Sequence, residues 1–247
     1  MNRYFYDLHI HSCLSPCADN DMTPNNIAGM AALNGLQIIA LTDHNSCKNC
    51  PAFFDACKKQ GLIAIAGMEL TTAEDIHLIC LIENLDDAML FSEAVNNKRI
   101  KIKNRTDIFG EQIIVDSEDN IIGHDENLLS NATTLSIEAA FKLATEYGAV
   151  IYPAHIDRQS NGIVSTLGTF PDNPPFGCAE FKDGLLIDKY LGLYPHLSGK
   201  KILTSSDAHY LWDISEANNS IELDDEPYSS TLIRKRLFEY LNGNINI

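Results

Sequence analysis

Histidine and aspartate alternate with apolar residues near the start of this 247-residue chain, in the stretch YDLHIHS at residues 6–12. Successive side chains of a β-strand point to opposite faces. A strand here would therefore place His9 and His11 on one face, where both imidazoles can reach one metal ion. Asp7, two residues before His9, is placed to orient an imidazole or to assist from behind the ligands.

Further histidines and carboxylates fall at the edges of other apolar runs. They are Asp43 and His44 in LTDH, Glu69 in GMEL, His77, His155, and Asp207 and His209 in SSDAH. Any one of them could be a structural residue. A dense group of buried imidazoles and carboxylates, however, needs a compensating charge, because burial otherwise drives these groups to their neutral forms. We therefore predict a site that holds several metal ions.

Seven short apolar runs with the character of β-strands would position these residues. They span 4–11, 37–42, 62–69, 76–82, 149–155, 178–181 and 201–207. Several are almost continuously hydrophobic, as expected of parallel strands covered on both faces. With helices between them, such runs indicate an α/β barrel or a doubly wound sheet. In a barrel the carboxyl ends of the strands converge on one face, where active sites lie.

Capping residues and terminal glycines predict four helices between and after these runs. The helices start at Thr23-Pro24, Pro51, Ser136, and Ser229 or Ser230. Residues 83–135 interrupt the alternation with a polar segment, in which QIIVDSEDNIIG reads as a hairpin. We interpret 1–247 as a single domain and 83–135 as an insertion, which is either a lid over the site or a solvated excursion without a role.

The formal net charge is −16, from 34 acidic and 18 basic side chains. This balance argues against a nucleic-acid surface, because phosphate backbones are bound by basic residues. Bound divalent cations would reverse the field locally for an anionic substrate. No apolar run approaches the ~20 residues that span a bilayer. The start lacks a signal peptide, and seven cysteines in such a chain suggest reduced thiols, so we expect a cytoplasmic protein without membrane contact.

The sequence resembles the PHP family, named for polymerase and histidinol phosphatase domains and allied to the amidohydrolases. The matching pieces are DLHIHS, TDHNS, Glu69, PAHIDR and SSDAH, in the family's order. The resemblance implies a distorted seven-stranded (β/α) barrel, similar to a TIM barrel, with two or three divalent ions in the cleft. One departure is Ile156, because the family often has proline after the histidine that corresponds to His155.

The resemblance also implies a ligand set. His9, His11, Glu69 and Asp207 would hold one metal. Glu69 would bridge to a second metal, which His77 and His155 also hold. A third would be bound by His44, His209 and an acidic residue of the loop after the first strand. For that residue we prefer Asp19 to Asp21, since Asp19 lies four residues before the Thr-Pro helix start.

Imidazole and carboxylate ligands suit Zn, Mn or Fe. Two such ions ~3.5–4 Å apart can share a hydroxide, which we expect to attack phosphorus in a small phosphomonoester or cyclic phosphate. Asp207, His209 or a metal-bound water could supply the proton to the leaving group. Asp7 and Asp43 are further catalytic candidates. Arg158 and Lys182 are candidates for binding the substrate phosphate.

Three other interpretations stay open. The same hydroxide could cleave a C–N bond, as in amidohydrolases. The chain could be a non-catalytic PHP module that stabilises a polymerase. Finally, four cysteines near the first two metal motifs could form a separate zinc or iron–sulfur site. They are Cys13, Cys17, Cys47 and Cys50. Buried cysteine is also common as a small apolar residue.

Overall fold

The computed structural model describes residues 1–243. Its strands are β1 (Asn2–Ile10), β2 (Ile38–Leu41), β3 (Ile63–Thr71), β4 (His77–Ile82), β5 (Ile113–Val115), β6 (Ile121–His124), β7 (Val150–Pro153), β8 (Cys178–Phe181), β9 (Lys201–Thr204) and β10 (Ser220–Leu223). Its helices are α1 (Pro24–Leu33), α2 (Cys50–Gln60), α3 (Leu85–Asn96), α4 (Thr106–Phe109), α5 (Ile137–Glu146), α6 (Ile163–Leu167), α7 (Ile187–Leu193) and α8 (Ser230–Leu241).

Six strands form one mixed sheet in the order β10-β1-β2-β3-β4-β7. β1, β2 and β3 are parallel, whereas β4 is antiparallel to both β3 and β7. The predicted seven-stranded barrel is therefore not what the strand pairing shows. The physical reason is the short turn at 72–76, which reverses the chain directly after β3 instead of returning it through a helix.

β8 and β9 form a separate parallel pair. This pair is joined by hydrogen bonds to the segments that follow β7 and β1. The Ile156 amide beyond β7 donates to the Glu180 carbonyl of β8 at 2.8 Å, and the His11 amide donates to the Ala208 carbonyl beyond β9 at 3.0 Å. The carboxyl ends of β1, β2, β3, β7 and β9 consequently open toward one cleft. Antiparallel β4 presents its amino end there, which is why His77 begins its strand rather than ending it.

A β-bulge in β1 directs two histidines into the cleft. The pairing with β2 shifts between Asp7 and Ile10, so that three steps of β1 oppose two steps of β2. Leu8 packs in the apolar cluster that includes α8, whereas Ile10 packs in the cluster beneath α1 and α2. Strict alternation would place both on the same face. The bulge re-aims the strand end, as bulges beside active sites commonly do.

Three of the four predicted helix starts agree with the structure at their caps, whereas α2 begins at Cys50, one residue before the predicted Pro51. The side chains of Thr23, Ser136 and Ser229 accept hydrogen bonds from backbone amides at the starts of α1, α5 and α8. Gly61, with φ of 72°, ends α2 in the left-handed conformation. Helices α3, α4, α6 and α7 were not predicted from the sequence.

The segment 83–135 contains α3, α4 and the expected hairpin, formed by antiparallel β5 and β6. It is anchored to the loop after β2, where Asn49 donates to the Ile113 carbonyl at 3.0 Å and accepts from the Val115 amide at 3.1 Å. Asn45 donates to the Leu129 carbonyl at 2.7 Å. The role of the segment 83–135 as a lid stays a prediction. Within residues 1–243, no helix is both long and apolar enough to cross a bilayer.

Candidate metal centre

Glu69, near the carboxyl end of β3, lies at the centre of a cluster of histidines and carboxylates. Its carboxylate oxygens lie 2.8–3.5 Å from nitrogens of five imidazoles, and both the carboxylate and most of these rings are buried. The five are His77 at 2.8 Å, His155 at 2.9 Å, His44 at 3.2 Å, His11 at 3.3 Å and His9 at 3.5 Å. Residues that are up to 146 positions apart in the chain, from His9 to His155, thus converge on one carboxylate.

Three overlapping groups place potential ligand atoms within 4.8 Å of one another. The groups are His9, His11, Glu69 and Asp207; His44, Glu69 and His77; and His11, His44 and His209. His155 contacts Glu69 but belongs to none of these groups. Glu69, His11 and His44 are each shared between two groups, so the three groups are contiguous.

Hydrogen bonds on the far sides of the rings determine which nitrogen of each imidazole faces the cluster. His9 Nδ1 lies 2.8 Å from Glu180 Oε1, and a carboxylate accepts, so Nδ1 carries the proton. His11 Nδ1 lies 2.9 Å from the Ser15 hydroxyl, which itself donates to Asp43 Oδ1 at 2.7 Å. Ser15 must therefore accept from His11. In both neutral rings Nε2 is left with a lone pair, as a metal ligand requires.

The inward atoms of the first group fit a divalent metal. The Nε2 atoms of His9 and His11 are 3.1 Å apart, and oxygens of Glu69 and Asp207 lie 3.3–3.5 Å from them. Acceptors that face one another at this distance repel unless a cation lies among them or an imidazole takes a second proton. Nitrogen and carboxylate donors suit Zn, Mn or Fe, so the residues present fit the ions that the resemblance implies.

The pKa values of His9 and His11 also indicate that positive charge is favoured in this group. Burial lowers the pKa of His11, but hydrogen bonds to Asp207 and Glu69 outweigh burial and raise the pKa to about 9. For His9, burial is likewise outweighed, chiefly by the charge of Glu180, and the pKa lies well above its usual value. The raised pKa values of both rings indicate that the surrounding carboxylates favour positive charge at this position.

Two other histidines behave oppositely. Burial holds the pKa of His44 well below its usual value, and burial together with the charge of His11 lowers the pKa of His209 to about 4. Both rings are thus neutral near pH 7, which is the form that binds metal. Burial raises the pKa of Glu69, but the neighbouring imidazoles, led by His77, hold it well below its usual range.

Two residues of the cluster have unusual backbone conformations. His155 has a φ of 28° and Asp207 a φ of 49°, both in the left-handed region that favours glycine. Such conformations cost about 1–3 kcal/mol each and persist only where the surrounding structure enforces them. His155 lies two residues after the end of β7 and Asp207 three residues after the end of β9, so the strain lies at the residues that approach the cluster.

Asp7 does not contact an imidazole. Its Oδ1 accepts from the Ser206 amide and its Oδ2 from the Ser215 amide, both at 3.0 Å, and the side chain is fully buried. The carboxylate therefore holds both ends of the loop 206–215, which carries Asp207 and His209. Asp43 acts through serines, because it accepts from Ser12 and Ser15 rather than from a histidine.

Arg158 and Lys182 lie on the same side of the cleft. Arg158 Nη1 is 2.5 Å from Asp207 Oδ2, while almost half of the arginine side chain remains exposed. The Lys182 ammonium donates to the Ser206 carbonyl. Asp19 is half-buried, and its amide donates to the His209 carbonyl at 2.9 Å. Its Oδ1 accepts from the amide of exposed Asp21, and neither carboxylate belongs to the three ligand groups.

The cysteines do not form a separate site in the part of the chain that the structure describes. Cys47 and Cys50 are buried beside the Gly67 carbonyl, whereas Cys13 contacts the Ile113 carbonyl and Asn49. Among residues 1–243, no cysteine belongs to a group of three or more potential ligands. Burial raises the pKa of Cys13 to about 12, as expected of a small apolar core residue.

Glu180 and Ser15 are the functional residues that sequence reasoning missed. Glu180 lies in CAEF, a fully buried strand, and a carboxylate within such a run is itself a signal. Ser15 follows the DLHIHS motif in a loop, where a serine carries no comparable signal. Both act by fixing the rings of His9 and His11.

A sequence model of the PHP domain family matches residues 7–163, which is more than half of the chain. An error-prone DNA polymerase from Symbiobacterium thermophilum is 35% identical over 77 residues, 31% of this chain and 7% of the polymerase. A PolC-type DNA polymerase III from Thermotoga maritima is 34% identical over 88 residues, 36% of this chain and 6% of the polymerase. The matched stretches are thus a small fraction of the length of these relatives.

Solved structures resemble the whole fold at low sequence identity. The lesion-specific endonuclease Q from Pyrococcus furiosus has a TM-score of 0.66 and 19% identity, over 98% of this chain and 56% of the endonuclease. A protein from Bifidobacterium adolescentis assigned as a metal-dependent phosphoesterase has a TM-score of 0.62 and 14% identity, over 94% and 95%. An amidohydrolase from Chromobacterium violaceum, with bound sulfate, gives 0.59 and 17%, over 89% and 92%. These identities establish the fold alone.

Proposed function

This chain belongs to the PHP family, and from that premise we propose that it is a metal-dependent phosphoesterase acting on a small phosphomonoester or cyclic phosphate. Family membership and the His/Glu/Asp cluster support a metal-dependent hydrolase. The observation that carries the choice of phosphorus is Arg158, whose guanidinium lies against the ligand carboxylate of Asp207 while remaining partly exposed. A guanidinium in that place can grip phosphate oxygens and bring them to the cluster.

The three ligand groups are the residues that would hold the ions. We assign one ion to His9, His11, Glu69 and Asp207, and further ions to the groups around His44, with His155 and Asp19 as additional ligands. When bound, such ions act as Lewis acids and lower the pKa of water toward ~7.

The reaction in this proposal is a hydrolysis that balances without a further reactant. A bond forms between the water oxygen and phosphorus, the ester P–O bond breaks, and a proton from the water passes to the leaving oxygen. Arg158 exchanges part of its contact with Asp207 for the phosphate oxygens. Lys182, with its ammonium at the Ser206 carbonyl, is a second cation at the same side of the cleft.

Asp207 and His209 act in this proposal as ligands rather than as proton donors. The pKa of Asp207 lies well below its usual range, because His9 and His11 outweigh the effect of burial. The carboxylate therefore carries no proton near neutral pH. His209 Nδ1 lies 2.9 Å from the Asp207 carbonyl oxygen, which can only accept, so its one proton in the neutral ring is already committed. We assign the proton of the leaving group to water at the open side of the cleft.

Two competing substrates follow from the fold neighbours. Carbonyl hydrolysis would use the same ligands but would have no need of a guanidinium beside Asp207. DNA is the second candidate substrate, because endonuclease Q was crystallised with a 27-mer duplex carrying an abasic lesion. The net charge of −16 disfavours a polyanion, so we propose a small phosphate ester.

The test is turnover by purified protein loaded with Mn²⁺ or Zn²⁺. We expect hydrolysis of p-nitrophenyl phosphate, its loss after treatment with a chelator, and its loss in Asp207→Ala. Asp172→Ala is the matched control, since Asp172 is exposed and pairs with the exposed His196. Turnover of p-nitrophenyl acetate or an anilide without any phosphate ester would reject phosphorus, and full activity of the chelated protein would reject metal dependence.

A further inference from the structure

Two exposed aromatic side chains lie directly after the histidine of SSDAH. The rings of Tyr210 and Trp212 stack, with centroids 5.0 Å apart and 14° between their planes. Tyr210 is 40% exposed and Trp212 is 76% exposed. Tyr210 covers one face of the indole, so the exposure of Trp212 comes from its other face and its edges. A stacked pair that keeps this much aromatic surface in water beside an active site indicates a binding surface.

The loop that carries this pair is anchored at both ends. The Asp7 carboxylate accepts from the amides of Ser206 and Ser215 at 3.0 Å each. Asn34 of the segment after α1 donates to the Ile214 carbonyl at 2.9 Å, and the Ile214 side chain is buried. The backbone that carries the aromatic pair is therefore fixed before any ligand arrives, which reduces the entropy that binding must cost.

The pair also lies within reach of the metal centre. The ring of His209 stacks on His11 with centroids 4.3 Å apart. Trp212 follows His209 by three residues, so their Cα atoms are separated by at most about 11 Å. Arg158 contacts Asp207, on the other side of the same short segment. A phosphate at the centre and an aromatic ring on Trp212 can thus belong to one small molecule.

Resting on the proposed phosphoesterase function, we propose that the substrate is a small nucleotide, whose base stacks on the open face of Trp212 while its phosphate reaches Arg158 and the metal centre. Aromatic side chains stack on every nucleobase, because each base has a π-face. A single nucleotide carries little charge and so avoids the repulsion that the net charge of −16 imposes on a long nucleic acid. Hydrolysis of a nucleoside monophosphate with one water gives the nucleoside and inorganic phosphate.

The test compares adenosine 5′-monophosphate with ribose 5-phosphate, which has the same phosphate and sugar but no base. Trp212 is the single tryptophan of the sequence, so its fluorescence reports directly on stacking. We expect quenching by the nucleotide and none by the sugar phosphate. We also expect kcat/KM to favour the nucleotide, and Trp212→Ala to reduce that preference by about tenfold.

Tyr228→Ala is the matched control, because Tyr228 is 67% exposed and lies outside the loop 206–215. It should leave the preference unchanged. Equal hydrolysis of both compounds without quenching would overturn the nucleotide assignment and leave the phosphoesterase intact. Higher kcat/KM for a single-stranded oligonucleotide than for the mononucleotide would also overturn it. Quenching by the nucleotide without hydrolysis of any phosphate ester would instead reject the proposed reaction while supporting the stacking site.

Discussion

The Nδ1 atom of His9 lies 2.8 Å from Oε1 of Glu180, and both side chains are buried. The same oxygen lies 3.3 Å from the backbone amide of His155. One carboxylate of β8 therefore orients a ring from β1 and supports the strained segment after β7. Partners of this kind behind metal ligands fix the tautomer and increase the basicity of the ring.

We expect Glu180→Gln to lower metal affinity by about 10–100-fold, because the amide no longer provides a charged acceptor for His9 Nδ1. The measurement is competitive titration of Zn²⁺ or Mn²⁺ against a chromophoric chelator. Glu222→Gln is the control, since Glu222 is exposed and pairs with Arg3 at the surface. Unchanged affinity in Glu180→Gln, with the fold intact, would contradict the positioning role.

Asp7→Asn tests whether Asp7 acts through the loop rather than on substrate. An amide can accept from only one of the two backbone N–H groups, and its NH₂ then faces the other donor. We expect the free energy of unfolding to fall by about 1–3 kcal/mol, measured by urea denaturation of the metal-free protein. Asp213→Asn, at an exposed position of the same loop, should change it by less than about 0.5 kcal/mol. Lost turnover with unchanged stability would mean that Asp7 acts directly in catalysis.

Metal binding should release protons below pH 9. The pKa of His11 is raised from 6.5 to about 9, so this ring holds an extra proton at pH 7.5 that a metal must displace. Calorimetric titration in two buffers of different ionisation enthalpy measures the release, and metal affinity should rise with pH toward 9. Metal binding at pH 7.5 without proton release would contradict the raised pKa of His11.

The same shift predicts how the stability of the metal-free protein depends on pH. A raised pKa in the folded state stabilises the protein fully below the unfolded value of 6.5, and the contribution is lost as pH rises through about 9. His209 has the opposite sign, because its folded pKa is lowered to about 4. Its protonation in the unfolded chain costs stability as pH falls from 6.5 to 4. Urea denaturation at several pH values with His11→Asn and His209→Asn separates the two contributions.

Arg158→Lys keeps the charge but removes the bidentate fork. We expect kcat/KM for a phosphate ester to fall by about tenfold or more, because an ammonium cannot hold two phosphate oxygens in one plane. Metal affinity should change little, which separates substrate binding from assembly of the centre. Arg105→Lys is the control, since Arg105 is exposed and pairs with exposed Asp107. A matching fall in metal affinity would indicate that Arg158 serves the cluster instead.

The sequence by itself determined most of the strands, half of the helices and the chemical class of the candidate site. Each of the seven predicted runs overlaps an observed strand, because alternating and continuous apolar patterns follow directly from which faces are covered. It missed β10, a short edge strand of pattern SIEL within a polar region. The PHP resemblance is confirmed by the match to the family model. Its motifs consist of histidines and carboxylates, whose order along the chain can be seen without knowing the fold.

Only the tertiary structure decided how the residues work together. The pairing of His9 with Glu180 joins positions 171 residues apart, and that of Asp7 with Ser215 joins positions 208 apart. Strand direction, the bulge of β1 and the loop beyond β9 bring these atoms within hydrogen-bonding distance. Local patterns record burial and helix or strand period, whereas the partner of a buried carboxylate depends on packing across the whole chain. For that reason the sequence could indicate candidate metal ligands, which stay a prediction, but not the groups that orient them.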